Sequence, residues 1–327
     1  MSRRRRHLRL LGAIVMPLAM AAAAAVALVA QPPARGARIL VLGTAQDGGV
    51  PHPACSCTRC MAARREPDRR RWVSSLAVVT EKSKFLVDAT PDVREQLEEL
   101  RLAPGGGRGV VGGVDRKPLG GVLLTHAHIG HYLGLAFFGF EAVHTRHLPV
   151  FATQRMIDFL RRNDPWRELL RRGNIALYIA PPGAPFELAD GVMVTPIASP
   201  HRDELSDTVG YLFRGPRASL LYVPDTDAWE GWRPPISELA RGVDYALLDG
   251  TFYSPAELPG RDVTKIGHPL ITRTMDLLAP LVAGGKPRVF FTHLNHSNPA
   301  LETGSAARRE IERRGFRVLD EAQEFPL

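Results

Sequence analysis

Short apolar runs recur along the chain and are separated by segments rich in Gly, Pro and Asp. Runs of this length that are rich in Val, Ile, Leu and Phe are typical of buried β-strands. The pattern therefore predicts strands over residues 38–42, 76–80, 85–88, 121–125, 176–179, 193–197, 219–223, 245–248 and 289–292.

Helical signals lie between these strands. One helix is predicted to begin with Thr90 as its N-cap and Pro91 at its first position, and to end near Leu102. Others are predicted over residues 153–162 and 305–314. The glycine-rich residues 105–121 are predicted to form a surface loop rather than a phosphate cradle, since no helix start or Lys-Ser/Thr follows them. Neither a linker nor an internal repeat is visible. The order of elements predicts one mixed α/β domain over residues 36–327, for which two stacked sheets flanked by helices would fit.

Residues 1–35 have a different composition. Residues 3–9 are rich in arginine, residues 10–30 are almost wholly apolar, and Ala25-Val26-Ala27 offers a small-x-small cleavage site. These features predict a signal peptide, with an uncleaved membrane anchor as the alternative. The arginine run also suits the twin-arginine export route. An exported protein, periplasmic or membrane-anchored, is therefore expected.

Charge does not indicate a nucleic-acid partner. The formal net charge is +8, but residues 1–35 contribute six arginines and no acid, which leaves 36 basic against 34 acidic residues in the rest of the chain. The apolar content of 45% and charged content of 23% are ordinary for a globular domain. A small-molecule substrate is the expected partner, and nothing in the sequence indicates an oligomeric state.

Three histidines follow the predicted strand 121–125 within six positions: His126, His128 and His131. Neutral imidazole is a strong ligand for zinc, iron and manganese. Residues 125–134 read THAHIGHYLG, which resembles the T-H-x-H-x-D-H-x-x-G signature of the metallo-β-lactamase superfamily. The resemblance implies an αββα sandwich with a two-metal site along one edge. Gly130 stands where that family has an aspartate ligand.

Three further motifs in the same order along the chain resemble the remaining ligand motifs of the superfamily. The resemblance implies one metal bound by His126, His128 and His201, a second bound by His131 and His293, and Asp225 between them. Asp47 and Asp227 are both candidates to replace the carboxylate missing at position 130, and the sequence does not choose between them.

All three cysteines lie close together, as Cys55, Cys57 and Cys60. An odd, clustered set suits a metal site better than disulfides, although free or redox-active thiols are the alternative. Cyclic phosphodiesterases of phosphonate catabolism, in the same superfamily, have such a motif paired with a histidine three positions after a metal ligand. That resemblance implies a structural zinc completed by His296. This zinc would hold the loop formed by residues 43–53 in place.

A closer likeness covers about residues 38–300. Segments 47–60, 88–94, 249–252, 267–269 and 293–299 are similar to the coenzyme PQQ synthesis protein B family. One departure is that this family has Asp and Gln where the present chain has His126 and His128.

Two further residues are candidates for catalysis. His268 occupies the place in chain order of the histidine that protonates the leaving group in the phosphodiesterase branch, including the tRNA 3′-end processing nucleases. A structural histidine before Pro269 is the alternative. Asp249 is expected either to orient a metal-ligand histidine or to cap the turn at Gly250.

The leading hypothesis is a metal-dependent hydrolase in which a metal-bound hydroxide attacks a phosphodiester or another ester. The alternative, from the second resemblance, is an iron-dependent oxygenase in cofactor biosynthesis. A non-catalytic metal-binding protein ranks last. The cofactors expected are one or two catalytic ions of Zn, Mn or Fe, and one structural Zn.

Overall fold

The computed structural model describes residues 36–107, 110, 112–262 and 265–327. Its strands are β1 Arg38–Gly43, β2 Ser75–Val79, β3 Lys84–Val87, β4 Gly121–Leu123, β5 Leu148–Ala152, β6 Ile175–Ile179, β7 Phe186–Ala189, β8 Val192–Ser199, β9 Thr208–Arg214, β10 Ser219–Val223, β11 Tyr245–Asp249, β12 Arg288–Thr292, β13 Arg317–Val318 and β14 Glu324–Pro326. Its α-helices are α1 Thr58–Arg65, α2 Val93–Leu102, α3 Ile129–Tyr132, α4 Gln154–Arg162, α5 Trp166–Arg171, α6 Ile236–Arg241, α7 Ile271–Ala283 and α8 Ala306–Arg313.

The strands form two seven-stranded sheets, with orders β14-β1-β2-β3-β4-β5-β6 and β13-β12-β11-β10-β9-β8-β7. Their facing sides share one apolar core, to which Ile39 and Leu123 contribute from the first sheet and Tyr211 and Phe290 from the second. A second core lies on the outer face of the first sheet under α2, α4 and α5, and a third lies on the outer face of the other sheet under α6, α7 and α8. This layering confirms the predicted αββα sandwich.

Parallel pairing directs polar residues to one edge of the sandwich. Strands β3 to β6 are mutually parallel, and so are β10 to β13. Asp88, Thr125, Asp225 and His293 each follow the carboxyl end of one of these strands within two residues. Because such strand ends are where open α/β sheets place their ligands, this edge is where a functional site is expected.

Two of the predicted helix starts are correct. Thr153 Oγ1 accepts a hydrogen bond from Met156 N at the start of α4, and Ser305 Oγ accepts one from Arg308 N at the start of α8. Such caps contribute about 1 kcal/mol each. The helix predicted from Thr90 begins instead at Val93, because Thr90 Oγ1 accepts from Asp92 N within a preceding turn.

Helix α7 was not predicted. It carries Pro280 in its interior, which is a breaker signal in a sequence. Burial of Ile271, Met275 and Leu278 against the second sheet outweighs that signal.

The predicted export segment, residues 1–35, lies outside the described residues. Within the described part of the chain, no helix has the length and apolar character needed to cross a membrane.

Candidate metal centre

The first cluster of ligand atoms gathers at the end of β4. Nε2 of His126 lies 2.9 Å from Nδ1 of His128, which in turn lies 3.2 Å from Nε2 of His201. Asp225 Oδ2 lies 3.4 Å from Nε2 of His126 and 3.2 Å from Nε2 of His201. A tetrahedral zinc ion separates two nitrogen or oxygen ligands by roughly 3.3 Å. The four residues therefore have the spacing of a metal site.

A second cluster adjoins the first and shares Asp225. Nε2 of His131 lies 3.6 Å from Asp47 Oδ1 and 3.9 Å from Asp225 Oδ2. Nε2 of His293 lies 3.8 Å from the same Asp225 oxygen. Both imidazoles are fully buried. The structure thus brings together all six metal ligands implied by the sequence, with Asp225 between the two groups, and adds Asp47 to the second.

Several of these atoms are buried without a hydrogen-bond partner. Among the described residues, such orphaned atoms include His131 Nε2, His293 Nε2, Asp47 Oδ1 and Asp225 Oδ1. A buried polar atom that lacks a partner costs about 1 to 3 kcal/mol. Three of these atoms, on Asp47, His131 and His293, belong to residues whose ligand atoms lie within 4.8 Å of one another, and this set of nitrogen and carboxylate atoms fits a bound cation.

The outer nitrogen of each second-cluster ring is held by a neighbour. Asp88 Oδ2 lies 2.7 Å from Nδ1 of His131, and Thr251 Oγ1 lies 2.9 Å from Nδ1 of His293. Asp88 also accepts hydrogen bonds from N and Oγ1 of Thr125. Such contacts fix the ring orientation and leave the other nitrogen available to a metal. Sequence analysis missed Asp88 in this role, although its place at the end of a strand was a usable signal.

Asp227 orients a ring of the first cluster. Its Oδ1 lies 2.7 Å from Nδ1 of His201, on the side of the imidazole away from Asp225. Asp227 is therefore not positioned to replace the carboxylate missing at Gly130.

Burial and neighbouring charges shift the pKa values of these groups. Burial opposes a charge on His131, but the Asp88 carboxylate outweighs it and raises the pKa of His131 to about 9. Burial likewise opposes a charge on His268, and Asp249 outweighs it, raising that pKa to about 9. Burial holds the pKa of His126 well below its usual range, which keeps this ring neutral and able to bind a metal.

His268 stands beside the second cluster. Its Nδ1 lies 2.9 Å from Asp249 Oδ2 and 3.3 Å from Asp225 Oδ1. Asp249 Oδ1 accepts a hydrogen bond from Thr251 N, so it stabilises the turn that follows β11, while its Oδ2 orients His268. Asp249 therefore stabilises the turn, and the imidazole that it orients is that of His268.

A cavity of about 590 Å³ opens next to His268. It is lined by apolar and polar side chains, among them Asp227, Trp229, Ile266, His268, Leu270 and Arg273. The volume is sufficient for a small molecule.

The cysteine motif forms a separate group. Nδ1 of His296 lies 3.7, 3.9 and 3.7 Å from the sulfurs of Cys55, Cys57 and Cys60. A tetrahedral zinc ion separates a sulfur and a nitrogen ligand by roughly 3.6 Å. The spacing therefore fits the Cys3His site implied by the sequence.

The thiols are not equivalent. Burial raises the pKa of Cys60 to about 11, so this sulfur needs a cation beside it to become a thiolate. Burial would also raise the pKa of Cys57, but hydrogen bonds from the Cys60 and Arg59 amides outweigh it and lower that pKa.

Comparisons with known proteins support the resemblance to the superfamily and the fold. A family model described as a beta-lactamase superfamily domain matches residues 83–294. Coenzyme PQQ synthesis protein B of Methylobacterium radiotolerans is 29% identical over 89% of this chain and 100% of its own length. The relative of the same name from Ruegeria pomeroyi is 30% identical, again over 89% of this chain and 100% of its own length.

Two solved structures share the fold. Zn²⁺-bound PqqB from Methylobacterium extorquens superposes with a TM-score of 0.74 at 23% identity, covering 89% of this chain and 100% of PqqB. A diphosphatase of the PhnP family superposes with a TM-score of 0.61 at 20% identity, covering 88% of this chain and 96% of the diphosphatase.

Proposed function

The chain belongs to the β-lactamase superfamily and, within it, to the group of coenzyme PQQ synthesis protein B, and from this premise we propose that it is a metal-dependent enzyme of cofactor biosynthesis. Its substrate would be a small molecule, and its reaction an oxidation that uses molecular oxygen at an iron-loaded centre. The names of the relatives support a role in cofactor biosynthesis over the phosphodiester hydrolysis that the histidine cluster first suggested.

One observation supports a catalytic metal centre above all others: His126, His128, His201 and Asp225 converge within 3.4 Å of their nearest neighbours, beside a second cluster with orphaned atoms. Three histidines with a carboxylate suit iron as well as zinc. A metal held there supplies Lewis acidity and, if it is iron, a means of using oxygen.

The residues of the chain supply the remaining functions. In this proposal the cavity beside His268 is the binding site for the small molecule, next to the edge that carries the ligands. His268 is held by Asp249 at 2.9 Å, and in the metal-free chain its pKa is raised to about 9, so the ring carries a proton near neutral pH there. A ring in this state donates its proton to an oxygen atom of a bound substrate.

Hydrolysis of a phosphodiester is the second candidate. The observation that favours it is the pairing of two ligand clusters across Asp225, with His268 3.3 Å from the same carboxylate. Two adjacent metals stabilise both the attacking and the leaving oxygen of such a displacement, and a histidine beside them protonates the leaving group.

Three measurements on the purified full chain distinguish these functions. The first is metal content by elemental analysis, without added metal. The others are oxygen uptake by the iron-loaded protein with a panel of small molecules, and turnover of bis(p-nitrophenyl) phosphate by the zinc- or manganese-loaded protein. His128→Ala is expected to abolish whichever activity is found, and His144→Asn, away from the clusters, serves as the matched control.

Iron with oxygen uptake supports the oxidation, and phosphodiester turnover supports hydrolysis instead. Bound metal with neither activity would favour a non-catalytic metal-binding protein and overturn the proposal.

We also propose that the chain is exported or membrane-anchored through residues 1–35, and that a zinc ion at Cys55, Cys57, Cys60 and His296 stabilises the loop beside the centre. Cell fractionation tests the location: recovery of the protein in the cytoplasmic fraction alone would contradict it.

A further inference from the structure

The second cluster lacks the carboxylate that its motif usually supplies. Gly130 lies between His128 and His131, at the position where the resemblance implies an aspartate. Without that side chain, the second position would have only His131 and His293, with Asp225 shared between two metals. Two imidazoles and a shared carboxylate leave a divalent ion with few ligands.

The space beside Gly130 is filled by another residue. A Cβ atom built on Gly130 would lie 2.8 Å from Cα and 2.9 Å from Cγ of Asp47, and it would overlap Asp47 Oδ1. Glycine at position 130 is therefore required by the presence of Asp47, because any side chain there would collide with its carboxylate. The two positions are sterically coupled although they are far apart in the chain.

The Asp47 carboxylate is aimed at the second cluster. Its Oδ1 is buried, has no hydrogen-bond partner, and lies 3.6 Å from Nε2 of His131, which is also without a partner. Together with Nε2 of His293, these atoms lie within 4.8 Å of one another. A carboxylate oxygen without a hydrogen-bond partner that faces two ring nitrogens also without partners has the arrangement of a ligand set for a cation.

Backbone hydrogen bonds fix the position of this loop. Gln46 N donates to Leu294 O at 3.0 Å, next to His293, and Gly49 N donates to Gln46 O at 2.7 Å to close the turn. On its far side, Val50 and Arg71 exchange two backbone hydrogen bonds of 2.9 Å. Asp47 is thus held beside the end of β12 by the backbone, independently of any metal.

From these contacts we propose that Asp47 supplies the carboxylate ligand of the second metal position, in place of the aspartate absent at Gly130. The inference rests on the proposed metal centre. It assigns the second position the ligands His131, His293, Asp47 and the shared Asp225. The loop that carries Asp47 therefore becomes part of the metal site.

The test is a Co²⁺ titration of the chelator-treated full chain, followed by absorption spectroscopy and calorimetry. Thiolate-to-cobalt bands report the cysteine site separately from the histidine clusters, and the calorimetric isotherm counts the ions bound at the two clusters and gives their affinities. In Asp47→Asn, which preserves shape and volume, we expect affinity at the second position to fall about 100-fold or more, because a direct ligand contributes more than the groups that orient it.

Two further variants test the second and the first metal position separately. Gly130→Ala keeps every ligand but pushes against Asp47, so it too should weaken the second position. Asp227→Asn removes a carboxylate whose contact with the two clusters is to His201, so it should weaken the first position and leave the second unchanged. Circular dichroism of each metal-free variant verifies that the chain is folded.

The outcomes separate this inference from the proposed function. If the parent protein binds cobalt at both histidine clusters and Asp47→Asn does so with equal affinity, Asp47 is not a ligand and the inference is wrong. If the parent protein binds no cobalt at the histidine clusters, the metal centre itself is wrong. Selective loss at the second position in Asp47→Asn supports the inference.

Discussion

Asp88 controls the orientation of His131: its Oδ2 lies 2.7 Å from Nδ1 of the ring, and both side chains are completely buried. The same carboxylate accepts hydrogen bonds from N and Oγ1 of Thr125. Both oxygens of the Asp88 carboxylate therefore act as hydrogen-bond acceptors. This arrangement places the proton of the neutral ring on Nδ1 and leaves Nε2 free to bind a metal.

Replacing Asp88 by Asn should invert this arrangement. The Asn oxygen would keep the bond from Thr125 N, so its NH2 group would face Nδ1 of His131 and move the ring proton to Nε2. Asn also tolerates the left-handed backbone at this position, where φ is 65°. We expect metal affinity at the second cluster to fall about 10- to 100-fold, as measured by calorimetric titration with Co²⁺.

Asp92→Asn is a suitable control for that variant. Asp92 Oδ2 accepts a hydrogen bond from Val73 N and contacts no histidine of the clusters. Equal metal affinity in Asp88→Asn and the parent protein would show that the contact to His131 does not determine its tautomer.

His268 is expected to matter for turnover rather than for metal binding. His268→Gln removes the ring that Asp249 and Asp225 hold in its charged state. We expect kcat to fall about 10²- to 10⁴-fold, with KM changed much less, because a proton donor acts in the transition state. Steady-state kinetics measures both constants, and elemental analysis measures metal content.

The control for this variant is His144→Asn, which alters a histidine that contacts Phe140. If His268→Gln loses metal in proportion to its activity, His268 is a ligand of the second cluster instead of a proton donor.

The cysteine site should be coupled to the second cluster. His52 N donates to Cys60 Sγ at 3.3 Å, and the His52 ring lies against that of His296, so the loop that carries Asp47 continues into the thiol group. Cys57→Ser should therefore lose one zinc per chain and also weaken the second histidine cluster about tenfold. Elemental analysis and Co²⁺ titration measure the two effects.

Ser56→Ala, an exposed change between two of the cysteines, is the matched control and should alter neither quantity. Loss of the structural zinc with no change at the histidine clusters would show that the two sites are independent.

Glu321 predicts a pH dependence of stability that is separate from the metal sites. Burial raises its pKa to about 7, although Trp72 N donates to its carboxylate at 2.6 Å. In the unfolded chain the pKa is about 4.3. Because the folded value is higher, Glu321 favours the folded state below about pH 4.3, and this contribution is lost as the pH rises through 7.

Glu321→Gln removes this titration and keeps an acceptor for Trp72 N. Relative to the parent protein, its free energy of unfolding should increase by about 1 to 3 kcal/mol between pH 5 and pH 8. Urea unfolding of the chelator-treated proteins measures it, with Glu66→Gln, an exposed carboxylate, as control. A difference that does not change with pH would contradict the assignment.

Short motifs that resemble those of a known superfamily were enough to predict the sandwich and the order of its ligands. His126, His128 and His131 lie within six residues after one apolar strand, so local backbone geometry alone keeps them together. The remaining ligands follow strand ends, and parallel strands bring such ends to one edge whatever the details of packing. These inferences depend on patterns within short segments.

Only the tertiary structure shows that Asp47 faces the second cluster whereas Asp227 contacts His201, and only it reveals the contact between Asp88 and His131. Asp47 reaches the second cluster because Ala45 pairs with both Val73 and Leu294, which joins three distant parts of the chain. The direction in which a side chain points after such a pairing depends on register and on the space left by neighbours such as Gly130. No local pattern contains that information, since it arises from packing between segments far apart in sequence.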